Sequence, residues 1–292
     1  MSYNKSVHAC NAVYSILRYS PRDLEPTIQL LECGESLENI NWFLKALPGL
    51  APLYQGNRMF FGDVLRYHCG MGNLGFSDGF NYCASRGEPA DAYIMLNEDM
   101  FFGPHCVEEL ILGLRDNIGL ACCNLTNGGL FDRRNPKLTD VEDFASANRA
   151  HYPHTEVKGA NPPWIVTRKL WETLSQHDVW EDCCLPLNRY PGAMDAAIDP
   201  YRVGWYADWD FFNRVRSLGL NTVVVESAHC YHYSNSSGSE KDERYPGWRQ
   251  IPIINYGVKY GVFILVENMG LKELPVIKKP QYPWWPLREL PR

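Results

Sequence analysis

Several features are missing from this chain, and each absence narrows what it does. No stretch reaches the roughly 18 apolar residues of a membrane-spanning helix. The N-terminal "MSYNKSVHAC" carries no apolar run of export-signal length after its charges. Internal repeats and low-complexity linkers are absent. A basic excess is also lacking: the net charge is −6, so a nucleic-acid surface is not expected, and an anionic ligand would need a local cation. The ten cysteines form no CxxC pair and no regular spacing, and two sets are adjacent, Cys122/Cys123 and Cys183/Cys184. Without an export signal they read as reduced thiols acting as small buried hydrophobes. The sequons at Asn4, Asn124 and Asn235 then carry no weight, because glycosylation needs a secretory route. The expectation is a soluble cytoplasmic protein, at most peripheral to a membrane.

What is present is an ordinary globular composition, 45% hydrophobic and 21% charged over 292 residues, enough to bury a substantial core. The first half alternates apolar runs with helix-like segments. "SVHACNAVYS", "TIQLLE", "RMFFGDVLRYH", "DAYIML" and "IGLACCNL" read as strands. "LENINWFLKAL" reads as a helix, with Leu37, Ile40, Phe43, Leu44 and Leu47 at helical spacing. After Gly103-Pro104, the residues Val107, Leu110, Ile111 and Leu114 repeat that spacing, with proline at a helix start. Such alternation predicts an α/β fold with a Rossmann-like, mostly parallel central sheet flanked by helices. Between about 127 and 207 the pattern weakens, as expected of a lid or functional region. "DWDFFNRVRSLG" then reads as a helix stopped by Gly219, and "NTVVVE" as a strand.

One short stretch concentrates polar groups where a strand should end. In "DAYIMLNEDMFFGP", Asn97, Glu98 and Asp99 interrupt an apolar run. In doubly wound sheets ligands bind beyond the carboxyl ends of strands. Carboxylate and amide oxygens there suit a hard divalent cation, Mn²⁺ or Mg²⁺, which also holds phosphates. A plain strand-to-helix turn would use the same residue types.

The surroundings extend the pattern. The chain carries Asn73-Leu74-Gly75-Phe76, Asn81, Leu96-Asn97-Glu98-Asp99, Gly159 with Arg168, Asp208-Trp209-Asp210 with Arg214 and Gly219, and His232 before "YSNSSGS". In order and spacing this resembles the family 2 glycosyltransferases, in particular their rhamnosyltransferase-like branch, over about residues 73 to 239. The resemblance implies a glycosyltransferase-A fold, a nucleotide-diphosphate sugar donor, a divalent metal and an inverting reaction. The implied layout is a single domain over 1–277, with a nucleotide-sugar half at 1–126 and an acceptor and catalytic half at 127–250. Two positions depart from the family pattern: Glu98 replaces the middle residue of N-P-D, and Ala207 replaces the first acid of the E-D pair.

The resemblance also implies site residues. Asp99 is the expected metal ligand, with Asn97 and Glu98 beside it and His232 closing the metal from the other side. Asp208 matches the general base and Asp210 is its rival; either would also serve as a helix cap. Glu32 matches an acid at the end of the second strand that accepts a hydrogen bond from base or ribose, with Asp63 as an alternative. Tyr14 and Ser15 line the base pocket, and Asn73 and Gly75 form the turn beside ribose and diphosphate. "CGMGNLG" is not a dinucleotide fingerprint, because no G-x-G-x-x-G follows the first strand. On the acceptor side, for a glycan, glycoprotein or glycolipid, stand Arg168, Trp164 and Trp205, with Trp171 and Trp180 also available; core packing would use the same aromatics.

Two other activities fit a similar sheet. A sugar nucleotidyltransferase would need a glycine-rich, Arg/Lys-bearing phosphate loop after the first strand, which is lacking. A non-catalytic sugar-binding protein is kept open by Ala207. Finally, "KKPQYPWWPLRELPR" at 278–292 reads as an extended Pro/Trp-rich arm, because proline cannot continue a helix. Trp284 and Trp285 need cover, from the arm's own domain, from a second subunit in a homodimer, or from a membrane. The own domain costs least entropy and ranks first; the membrane ranks last.

Overall fold

The computed structural model describes residues 6–21, 23–33, 53–55, 58–61, 64–69, 71–115, 117–127, 155–156, 163–176, 190, 192–196, 198, 207–232, 256 and 259. The expected helix at 37–47, Asp63, Gly159, Trp180, Trp205, the "YSNSSGS" loop and the C-terminal arm lie outside these residues.

The first element corrects an expectation. "SVHACNAVYS" is not a strand but opens the helix α1, Ser6–Tyr19. Its buried side chains Ala9, Ala12 and Val13, with partly buried Ile16, fall at i, i+3, i+4 and i+7. Ala9 and Val13 pack on Leu30, Leu65 and Tyr67, while Ala12 packs on Phe101 and Tyr231.

A four-stranded sheet has the order β1-β4-β3-β2, from β1 (Ile28–Leu31), β2 (Leu53–Gln55), β3 (Arg58–Phe61) and β4 (Leu65–His68). "RMFFGDVLRYH" is therefore a hairpin rather than one strand, with Phe61 opposite Leu65. The helix α2, Gly75–Arg86, follows.

The larger sheet has six strands: β5 (Ala92–Met95), β6 (Met100–Phe102), β7 (Ile118–Asn127), β8 (Thr155–Glu156), β9 (Trp164–Thr167) and β10 (Asn221–His232). The order is β5-β9-β7-β10-β6, with β8 on β10. Among the described pairs, β1/β4 and β7/β10 are parallel and the rest antiparallel. The fold is thus mixed α/β, as expected in class, with strand directions more mixed than the alternation suggested.

Three further helices cover this sheet: α3 (Cys106–Gly113), α4 (Arg168–Gln176) and α5 (Ala207–Ser217). One face buries Phe76, Trp164, Trp171, Phe211, Phe212 and Val215; the other buries Val107, Leu110, Val223 and Val225. At Gly219, φ is +75°, the left-handed conformation that ends α5. Cys10, Cys33, Cys69, Cys83, Cys106, Cys122, Cys123 and Cys230 are free thiols.

Candidate functional site

Strand direction gathers the polar residues. β5 and β7 are each antiparallel to β9, and β7 is parallel to β10, so β5, β7 and β10 end at the same edge. Asn97, Glu98 and Asp99 follow β5 there. The chain then turns back as β6, antiparallel to β10, with Met100 opposite His232. This pairing brings His232 Nε2 to 3.3 Å from Asp99 Oδ2, with both side chains largely buried. Two residues expected from separate motifs therefore meet. A divalent cation with bonds of about 2.1 Å in octahedral geometry has neighbouring ligand atoms about 3 Å apart. A carboxylate oxygen and an imidazole nitrogen at 3.3 Å have the spacing of two neighbouring ligands of such an ion; the carboxylate suits Mn²⁺ or Mg²⁺, and the imidazole favours a transition ion over Mg²⁺. Among the described residues, no group of three or more His, Cys, Asp or Glu side chains is arranged to hold a metal.

The two neighbouring polar residues, one acid and one amide, share this environment. Glu98 is buried and Asn97 half-buried. Glu32, at the end of β1, is 1% exposed, and its N–H donates to the His68 carbonyl at 2.8 Å. Burial pushes the Cys33 thiol up, and the charges of Glu32 and Glu98 add to the shift. Asn73 Oδ1 accepts from the Gly75 N–H at 2.8 Å, and Gly75 has φ +73°, so the expected turn is formed at the start of α2.

The helix α5 runs toward the same edge. A Cβ at Gly119, near the start of β7, would lie 2.8 Å from Val215 Cγ1. One turn earlier, Phe211 stacks on Trp164 at 5.6 Å, and Trp164 pairs with Met95 and Cys122, farther along their strands. Asp208 is three residues beyond Phe211, about 4.5 Å farther toward the edge. Its Oδ1 accepts from the Trp209 N–H at 2.9 Å; the side chain is half-buried, and desolvation pushes its carboxyl up to about 7. Asp210 is placed differently. It is 1% exposed, and its Oδ1 lies 2.5 Å from Lys259 Nζ, so its carboxylate is engaged inside the protein.

Several expectations are corrected. Trp164 is fully buried against Phe76, Phe211 and Phe212, which makes it a core residue and not an acceptor platform. Arg168 follows Thr167, opposite Ala92 at the far end of β5 from Asp99; it pairs with Glu172 at 2.6 Å and does not face the acidic edge. Tyr14 and Ser15 belong to a helix. Ser15 accepts from the Phe102 N–H at 3.1 Å and donates to the Ala12 carbonyl, tying α1 to β6. Tyr14 is exposed, and Arg18 donates to its hydroxyl. Asp195 and Lys259 escaped sequence reading, since a lone acid and a lone lysine in regions without clear periodicity carry no signal.

No family model matches the chain, and neither does any curated protein. Solved structures do match. GalNAc-T7 with UDP, GalNAc and Mn²⁺ is similar at a TM-score of 0.51 and 9% identity, over 76% of this chain and 39% of that one. The mannosyltransferase PcManGT from Pyrobaculum calidifontis, in complex with GDP-Man and Mn²⁺, is similar at 0.50 and 13% identity, over 81% and 56%. The chain spans well under two thirds of either length. At these identities the likeness is one of fold: the chain shares the fold of these glycosyltransferases.

Proposed function

We propose that this chain is a metal-dependent glycosyltransferase of the family 2-like type. It would move a hexosyl or pentosyl group from a nucleotide-diphosphate sugar to a hydroxyl of a glycan, glycoprotein or glycolipid, with inversion. The observation that carries the reading is the Asp99–His232 pair at 3.3 Å, at the edge where β5 and β10 end. Both structural relatives described above hold Mn²⁺ with a nucleotide or nucleotide sugar.

Asp99 and His232 would hold Mn²⁺ or Mg²⁺, which supplies Lewis acidity to the departing diphosphate. Asn97 and Glu98 flank that position. Glu32 would accept a hydrogen bond from the nucleoside, and the Asn73–Gly75 turn would lie beside the ribose and diphosphate. Asp208 would take the proton of the attacking acceptor hydroxyl. A carboxyl held near neutrality suits this role, since a base works best with a pKa close to the working pH. Inversion needs a single displacement, so no nucleophilic side chain is required.

The test is a calorimetric titration of UDP and GDP, each with and without Mn²⁺, followed by incubation of UDP- and GDP-sugars to detect sugar release or transfer. Mn²⁺-dependent binding of at least one diphosphate, lost in Asp99→Ala, is expected. Binding that ignores both Mn²⁺ and Asp99 would sink the reading.

A further inference from the structure

Behind the edge that carries Asp208 lies a buried charged network. Asp195 and Asp210 are each 1% exposed, and Lys259 Nζ bridges them at 2.8 Å and 2.5 Å. Burial works against the lysine's charge, but the two carboxylates together outweigh it and hold the ammonium above its usual value. A second contact runs parallel to the first: Asn213 Nδ2 donates to the Tyr256 hydroxyl. Asp210 and Asn213 are three apart on α5, and Tyr256 and Lys259 are three apart on the other side. The two latches therefore lie along one face of the helix.

The segment around Asp195 is fixed independently. Asn81, fully buried on α2, donates to the Met194 carbonyl at 2.9 Å and accepts from the Met194 N–H at 3.0 Å. Arg214, on α5, donates to the carbonyls of Ala193 and Leu174. At Gly192 a Cβ would lie 2.2 Å from Asn81 Oδ1, so only glycine admits this approach.

Buried ion pairs contribute little net stability, because desolvation offsets their attraction; in some proteins they select one arrangement over others instead. Here the network joins the first turn of α5, which carries Asp208, to the segment at Asp195. We propose that Lys259 is a positioning residue: by joining Asp195 to Asp210 it locks the first turn of α5 against the 192–195 segment and so fixes where the Asp208 carboxylate points. This rests on the reading of Asp208 as the base.

The experiment uses the full chain, with Lys259→Met, Lys259→Arg, Asp195→Asn, Asp208→Asn and the double variant Lys259→Met/Asp208→Asn. Turnover is read as Mn²⁺-dependent hydrolysis of UDP- and GDP-sugars, and the backbone by hydrogen exchange. In Lys259→Met we expect faster exchange at 192–195 and at the start of α5, with β5, β7 and β10 unchanged. We also expect kcat to fall about 10²-fold with KM nearly constant, the scale of loss when a reacting group is misplaced by about 1 Å. Lys259→Arg should recover most of it, and Asp208→Asn should add little in the Lys259→Met background. If Lys259→Met does not fold, Asp195→Asn, which keeps the Lys259–Asp210 pair, should show the same exchange pattern and a smaller kcat loss. Additive losses, a rise in KM instead of a fall in kcat, or uniform exchange changes would overturn the positioning role. An unaffected Asp208→Asn would instead overturn the base assignment, and a wild type inert on every sugar would overturn the proposed function, with hydrogen exchange still deciding the coupling.

Discussion

His232 Nε2 stands 3.3 Å from Asp99 Oδ2 although the residues are 133 positions apart in the chain (232 − 99). Their meeting depends on the short antiparallel contact in which Met100 faces His232. If the pair holds a cation that in turn holds a diphosphate, the ligand should stabilise the native state. At a hundredfold excess over Kd that stabilisation is about 2.7 kcal/mol. Thermal melts with UDP or GDP plus Mn²⁺ should therefore shift the wild-type midpoint upward. The shift should vanish in Asp99→Ala and shrink in His232→Ala, while the ligand-free midpoints change less. Equal shifts in all three proteins would contradict the assignment.

Trp164 separates packing from recognition. It lies between Phe76, Phe211 and Phe212 with no exposed surface. Trp164→Ala should cost about 3–5 kcal/mol of unfolding free energy, as large-to-small core changes do. Urea denaturation measures this directly. A stable variant with selectively weakened acceptor use would restore the platform role that the burial argues against.

How much of this was legible differs by element. The end of β5 was readable because the switch from apolar to polar at Asn97 is abrupt. The β7 strand and the α5 helix, with its glycine stop, were equally plain. In α1 the helical spacing of Ala9, Ala12, Val13 and Ile16 was available, but small and β-branched residues in a short apolar run imitate a strand. The β6 strand has only three residues, Met100–Phe102, too few to show any period, yet it builds the Asp99–His232 contact. Asp208 and Asp210 look alike in sequence; only the fold separates them, through a lysine some fifty positions away.

Asn81 and Gly192 form a complementary pair. The Asn81 amide satisfies both backbone groups of Met194, and Gly192 leaves room for it. Asn81→Ala would leave a buried N–H and carbonyl unmatched, at about 1–3 kcal/mol. Gly192→Ala would drive a methyl into the amide at a similar cost of about 1–3 kcal/mol. Because both changes damage one contact, the double variant should lose less than the sum of the two, as read by urea midpoints. Full additivity would mean that the contact does not hold the segment in solution.

The pH behaviour of Asp208 yields the last prediction. Burial raises its carboxyl to about 7 in the folded chain, against about 3.9 when unfolded. Below about pH 4 both states are protonated, and the group has no effect on stability. Between about 4 and 7 the unfolded chain ionises while the folded one does not, so rising pH costs stability. Above about 7 both are ionised and the cost is complete. Asp208→Asn has no such titration, so it should melt above the wild type at pH 8 and converge with it near pH 4. Turnover should run the opposite way, rising with pH through about 7 as the base deprotonates and then levelling off. In Asp208→Asn that rise should disappear along with roughly 10²–10⁴ of the rate, the range expected for losing a general base. Melting curves and a pH–rate profile on the same two proteins test both halves. A variant that keeps the rise near pH 7 would show that another group is the base.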